Sequence, residues 1–241
     1  MAAARRGFTK PGRGAFTKIM IRGAGILDFR RQTLCHEAHQ LNHRIILKKL
    51  NVGIIGYGWA ATAHIDAINA SGMAQVTDVY SSRLLDDDEL SARHGGKIKS
   101  TVNLKSLLNK PNIDVIDITS YPYQHADQVV AVARAGKHII VEKPLTLSKR
   151  DLGRMMKAVK LAKVKTCVCF ECRFAAEFLT LKSIVDQGLV GKLHYGEVDY
   201  YHGVGPWYGQ YRWNIKKDAG GSSLLSAGCH AMDALLYLMG G

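Results

Sequence analysis

Residues 51–64 read NVGIIGYGWAATAH: an apolar run, two glycines one residue apart, and a segment of helix-forming composition. The run predicts a buried strand, and WAATAHIDAINAS after it predicts a helix. Gly56-Tyr57-Gly58-Trp59-Ala60-Ala61 then falls at a strand-to-helix turn. Alone, this G-x-G-x-x-A pattern fits either an ordinary turn or a phosphate-binding loop. The segments that follow decide between them.

From Leu50 strands and helices alternate. AQVTDVYS (74–81), KIKST (97–101), IDVIDITS (113–120), KHIIVE (137–142) and VKTCVCF (164–170) read as strands. LLDDDELSARHG, LKSLLNK, HADQVVAVARAG and SKRDLGRMMKAVKLAK read as helices, the last with Ser148 as its N-cap. This alternation predicts a parallel sheet covered on both faces, a Rossmann-type doubly wound α/β domain over residues 48–168. In that setting Gly56 permits the tight turn, Gly58 lets backbone approach a pyrophosphate, and Ala61 lets helix pack on strand. The pyrophosphate would rest on the unpaired N–H groups of the helix start. Dinucleotide binding is therefore expected.

The end of the second strand indicates which dinucleotide. An NAD site places an acid there for the ribose 2′-hydroxyl, about 20 residues beyond the glycines. This chain has Ser81, Ser82 and Arg83 instead, groups that suit a 2′-phosphate. Asp78 falls inside the strand and Asp86 to Asp88 on the next helix. NADP is the expected cofactor, with NAD as the alternative if Arg83 is only a surface residue.

The chain carries 33 Lys and Arg against 20 acids, which invites a nucleic-acid reading. Residues 1–50, however, hold 11 of the basic groups and only two of the acids, so most of the excess belongs to the N-terminal leader region. A nucleic-acid face is expected on the folded body, and nucleic-acid binding is therefore the weaker reading. Residues 1–47 are basic and Gly-broken, and are expected to be a leader without a fold; a transit peptide would share their composition. His36, His39 and His43 there are expected to be solvated, and no metal site is predicted. No apolar stretch reaches 18 residues, so no membrane span is expected. Five cysteines form no secreted-type framework, which points to a reducing cytoplasm.

HADQVVAVARAGKHIIVEKPLTLS at 125–148 resembles the Gfo/Idh/MocA oxidoreductases. The resemblance rests also on the glycine turn followed by His64, and on GGSSLLSAGCHAMDALLYLMGG near the end. It implies a Rossmann domain followed by an α/β domain with an open, mostly antiparallel sheet, here residues 169–241 and incomplete. It implies hydride transfer between a nicotinamide and a hydroxyl-bearing carbon of a sugar or cyclitol. Lys143, in Glu142-Lys143-Pro144, would act as acid/base, and His230 would match the catalytic histidine. Pro144 often follows a cis peptide in this family. Tyr57, Trp59, Ala60, Ser120, His125 and Glu142 would join the cofactor contacts. The reaction needs a base for the hydroxyl proton while hydride leaves the same carbon.

Three departures qualify the carry-over. Ser226 stands where an acid often precedes the histidine by four positions; Asp233, one turn after His230, could orient the imidazole instead or be an ordinary solvated helix acid. Tyr121, Pro122 and Tyr123 replace the usual Thr-Pro-Asn wall. The second domain is expected to be on the order of a hundred residues short of a complete one. Among other residues, Cys167, Cys169 and Cys172 are expected to pack in the core. Tyr200, Tyr201, Trp207, Tyr208, Tyr211 and Trp213 would stack on a sugar, cover the sheet or form an interface, which leaves open a homo-oligomer through the C-terminal sheet. Arg173 is expected to line the pocket. An enzyme is the first reading. A non-catalytic NAD(P)-binding regulator, or an inactive fragment, is the alternative.

Overall fold

The computed structural model describes residues 48–201, Trp213 and residues 216–240, and the backbone alone of 15–20 and 202. These fall into two compact units. One holds residues 48–171 with Trp213 and 216–226; the other holds 15–20, 172–202 and 227–240.

In the first unit, β2 (Leu50–Ile55) leads through the glycine turn into α1 (Trp59–Ala70). Then come β3 (Ala74–Tyr80), α2 (Asp87–His94), β4 (Lys99–Thr101), α3 (Leu104–Leu108) and β5 (Val115–Ile118). α4 (Pro122–Arg134), β6 (His138–Glu142), α5 (Lys149–Ala162) and β7 (Thr166–Cys169) complete the run, with α7 (Lys217–Gly220) added from later in the chain. The six strands are all parallel in the order β4-β3-β2-β5-β6-β7. The order reverses between β2 and β5, and in such sheets ligands bind in the crevice at the strand ends there.

The apolar run at 52–55 is continuous because β2 is central and covered on both faces. Ile55, Ile116 and Ile118 pack with Val129, Val132 and Ala133 of α4. Ile54, with Val76 and Val79, packs against Ala61 and Ile65 of α1 on the other face. Each buried aliphatic side chain contributes roughly 1.5–3 kcal/mol. Ser148 caps α5 as the sequence predicts, its hydroxyl accepting from the Asp151 N–H at 3.1 Å. α4 starts three residues earlier than the periodicity suggests because Pro122 occupies its first position, where no N–H is needed.

In the second unit, α8 (Cys229–Met239) packs against α6 (Ala176–Asp186) and β8 (Glu197–His202). β1 (Ala15–Met20) pairs antiparallel with β8, Ala15 opposite His202 and Met20 opposite Glu197. A leader without a fold is therefore corrected at these six residues. AFTKIM has the aromatic and β-branched content of a strand, and the edge of β8 offers unpaired N–H and C=O groups. Cys35, His36, His39, His43, Trp207, Tyr208 and Tyr211 lie outside the described residues. Among the described residues, no helix is long and apolar enough to cross a membrane.

Candidate functional site

Gly56 follows β2 with φ +96°, a conformation that disfavours a side chain, and a Cβ there would come within 3.0 Å of the Ser120 nitrogen. The turns after β2 and β5 are thus in backbone contact. Gly58 differs. It is the extended N-cap of α1, with no side-chain cap, and an added Cβ would meet nothing within 4 Å. The N–H groups of Trp59, Ala60 and Ala61 have no acceptor within the helix, the arrangement that suits an anion at a helix start. Ala61 is fully buried on the sheet, as its predicted packing role requires. The Tyr57 hydroxyl lies 3.0 Å from His94 Nε2, so the side chain faces α2. The Trp59 indole is exposed and Ala60 half-buried.

Past the end of β3, Ser81 is buried, its N–H donating to the Thr101 carbonyl and its hydroxyl accepting from the Arg83 N–H at 3.3 Å. Ser82 and Arg83 are exposed. Asp78 is buried in β3 and ion-paired with Lys110, while Asp86 caps α2 by accepting from the Asp88 and Glu89 N–H groups at 2.9 Å. Hydroxyls and a guanidinium are what this strand end presents.

The Glu142-Lys143-Pro144 corner follows β6, with a cis Lys143–Pro144 peptide. Lys143 Nζ donates to the Ser226 carbonyl at 3.3 Å, so the residue standing in for the expected acid contributes backbone oxygen. His125, expected among the cofactor contacts, is fully buried. Its Nδ1 meets the Pro144 carbonyl at 3.0 Å and its Nε2 the Ser120 carbonyl at 3.1 Å. Burial pushes its pKa down, against the pull of those carbonyls. A neutral ring donates to only one of these carbonyls at a time, so it links the β5 turn and the corner from behind by one hydrogen bond and by close contact. Through Ser120, His125 and Pro144, Gly56 and Lys143 belong to one connected neighbourhood. The Ser120 hydroxyl donates to Gln128 Oε1 at 2.5 Å.

Beneath the corner lies a charged group that the sequence reading left unassigned. His64 Nδ1 is 2.8 Å from Asp117 Oδ2, and His64 Nε2 is 2.9 Å from Glu142 Oε1. The second Glu142 oxygen accepts from the Lys143 N–H at 2.9 Å. Burial pulls the imidazole pKa down, but hydrogen bonds to Asp117, Cys169 and Glu142, with the Asp117 charge, together push it up to about 12. Burial raises the Glu142 carboxyl; the bond and charge of His64 outweigh it and hold the group below its usual range. For Asp117, burial and the neighbouring Glu142 charge push the carboxyl up by more than the His64 hydrogen bond and charge pull it down, so the group stays above its usual range. One positive charge between two carboxylates is the arrangement that answers both burial and hydrogen bonding. The sequence signal was available: Asp117 is an acid inside the fully buried strand VIDI.

The substituted wall is aromatic. Tyr121 and Tyr123 stack at 5.8 Å between centroids, and Trp213 sits 5.6 Å from Tyr121.

The remaining predicted residues belong to the second unit. His230 is buried, with Tyr200 stacked 5.7 Å away and Cys172 Sγ 3.8 Å from Nδ1. Asp233 does not orient it. Arg173 takes both Asp233 oxygens, its Nε at 2.7 Å, and lies over the Tyr237 ring at 5.1 Å. A two-point guanidinium pair outcompetes an imidazole one turn away for a buried carboxylate. Arg173 thus serves a pair within its unit. The expected core packing of the cysteines is also corrected. Cys167 is exposed, and Cys169 and Cys172 are half-buried beside histidines, because β7 is the edge strand of the sheet.

Residues 50–170 match the model described as an oxidoreductase family with an NAD-binding Rossmann fold, and residues 178–241 match that family's C-terminal domain. A levoglucosan dehydrogenase from Pseudarthrobacter phenanthrenivorans is 31% identical over 80% of this chain and 52% of its own. A myo-inositol 2-dehydrogenase from Thermotoga maritima is 32% identical over 60% of this chain and 43% of its own. An NADP(+)-type scyllo-inositol 2-dehydrogenase from Bacillus subtilis is 26% identical over 79% of this chain and 52% of its own. Among solved structures, a levoglucosan dehydrogenase complexed with NADH and levoglucosan superposes with a TM-score of 0.69 at 28% identity, covering 80% of this chain and 54% of that one. The chain spans about half the length of the relatives it matches.

Proposed function

The chain belongs to the Gfo/Idh/MocA oxidoreductase family, and from that premise we propose that it binds NAD(P) at the glycine turn and interconverts an alcohol and a carbonyl on a sugar or cyclitol. The observation that carries this reading is the connected neighbourhood joining an uncapped helix start at Gly58 to the corner that carries Lys143. The residues present fit a dinucleotide: backbone N–H groups for the pyrophosphate, open space above Gly58, and Ser82 and Arg83 exposed at the ribose end.

The nicotinamide, when bound, supplies the hydride acceptor or donor. The chain's own part is proton handling and placement. In the oxidising direction Lys143 Nζ takes the hydroxyl proton as hydride leaves the same carbon; in the reducing direction it returns that proton. Ser226, through its carbonyl, holds the amine in place. His230 is proposed as a second catalytic residue on the family resemblance. The Tyr121, Tyr123 and Trp213 rings offer apolar faces to the C–H side of a sugar. Arg83 beside two serines favours NADP, a preference shared with the scyllo-inositol relative.

Fluorescence titration with NADPH and NADH tests the cofactor, followed by turnover of myo-inositol, scyllo-inositol and levoglucosan. Arg83→Ala is expected to weaken NADPH about tenfold while leaving NADH nearly unchanged, as loss of one charged hydrogen bond implies. Tighter NADH binding by the parent chain would overturn the NADP preference. Binding without turnover of any polyol would favour a dinucleotide-binding regulator.

A further inference from the structure

A buried chain of charge joins three parts of the first unit. His64 stands on the second turn of α1, whose N-terminus follows the glycine turn. Asp117 lies within β5, and Glu142 closes β6 beside Lys143. The imidazole bridges the two carboxylates at 2.8 and 2.9 Å, and Glu142 passes the contact on to the Lys143 N–H. A neutral imidazole donates from one nitrogen only, so two carboxylates on opposite sides require the doubly protonated ring.

We infer that His64 is a positioning residue: through Glu142 it fixes the Lys143 corner to the helix that carries the glycine turn, so one rigid element sets both ends of the dinucleotide site. The inference rests on the proposed cofactor reading. Its physical basis is that both Glu142 oxygens are engaged, which fixes the side chain's rotation. Without the imidazolium, the Asp117 and Glu142 carboxylates would face each other in a low dielectric. Asp117 has no exit, since it is fully buried and one of its oxygens already has no partner among the described residues. Glu142, at 17% exposure, would turn toward water and release the Lys143 N–H.

The groups facing His64 are Asp117 from β5, Glu142 from β6 and Cys169 from β7, with Lys143 next to Glu142. Cys169 Sγ lies 3.8 Å from His64 Nε2, and the His64, Glu142 and Cys169 donor atoms fall within 4.8 Å of one another. That donor set resembles a metal site. However, Nε2 already shares a proton with Glu142, and a cation would have to expel it, so we assign the cluster to positioning.

The test uses the full chain with 15N-labelled histidine. At about pH 9, well above the ordinary imidazole range, one ring is expected to keep both N–H protons, and His64→Gln is expected to lose that signal. Asp117→Asn, a second variant that keeps the shape, is expected to let the same ring deprotonate at lower pH. ADP-ribose and NADH, with their 2′-phosphorylated counterparts, are then titrated against each chain. Both ligands engage the glycine turn, but only the nicotinamide reaches the corner. In either variant ADP-ribose affinity is expected to stay within about twofold, while the advantage of NADH over it shrinks at least about fivefold, near 1 kcal/mol. A singly protonated ring at that pH, or an unchanged NADH to ADP-ribose ratio, would overturn the inference alone. Failure of the parent to bind either ligand would overturn the cofactor reading and the inference with it.

Discussion

Replacing Gly56 and Gly58 by alanine, one at a time, separates two tasks that the sequence pattern merges. At Gly56 the backbone has φ +96°, and the new Cβ would sit 3.0–3.2 Å from Ser120 and Thr119 main-chain atoms. Strain of this kind costs about 1–3 kcal/mol, and for a chain of this size that lowers the melting temperature by roughly 2–12 °C. At Gly58 the backbone is extended and the Cβ meets nothing within 4 Å. Alanine is a poorer N-cap than glycine by roughly 0.5–1 kcal/mol, but a stiffer unfolded chain returns about 0.4–1 kcal/mol. The melting temperature should therefore move by less than about 3 °C. The same methyl would occupy the approach to the helix-start N–H groups. Losing one charged hydrogen bond there, about 1.5–3 kcal/mol, weakens NADPH roughly 10- to 150-fold. Circular dichroism melts without ligand and fluorescence titrations with NADPH read the two effects. If Gly58→Ala melted as early as Gly56→Ala and bound NADPH like the parent, the division of labour would be refuted.

Three further outcomes are expected. Lys143→Met should lower kcat about 10²- to 10⁴-fold on any polyol the parent turns over, with NADPH affinity kept within about threefold; unchanged turnover would remove the proposed base. Arg173→Ala should cost about 1–3 kcal/mol by leaving the Asp233 carboxylate buried without its guanidinium, and adding Asp233→Asn should recover part of it, as read from urea midpoints. The urea midpoint should also fall on both sides of neutrality. Above about pH 6.5 the unfolded chain releases the His64 proton that the folded chain keeps, so this stabilisation is lost progressively as pH rises toward about 12. Below pH 6.5 the unfolded chain protonates His125 while the fold keeps it neutral, so stability falls as pH drops. His64→Gln should flatten the alkaline limb specifically; an unchanged slope would contradict the clamp.

The sheet was legible because its central strands are apolar without interruption, and the glycine turn because a strand ends in it and a helix begins. A local signal also located Ser148 as a cap, and the family resemblance located the corner after β6. Contacts between segments far apart in the chain were less legible. Nothing near Asp233 in sequence announces Arg173, sixty residues away, and helical spacing pointed to His230 instead. The thiols were misplaced because alternation along a strand does not reveal whether that strand lies at the sheet's edge. AFTKIM looked like part of a featureless leader because its partner, β8, follows nearly two hundred residues later. His64, Asp117 and Glu142 come from three different elements, so no window of sequence contains the group they make.

That last feature bears on how the strands find their alignment. Val115 and Asp117 face α1, while Ile116 and Ile118 face α4. A slip of one residue between β5 and its neighbours would exchange these faces. It would drive a carboxylate among Val129 and Val132 and set an isoleucine against the imidazolium. A purely aliphatic strand could tolerate that error at the cost of imperfect packing. Here the error strands the Asp117 carboxylate in an apolar compartment and leaves the imidazolium with Glu142 alone, so the sheet carries an electrostatic proofreading of its own register.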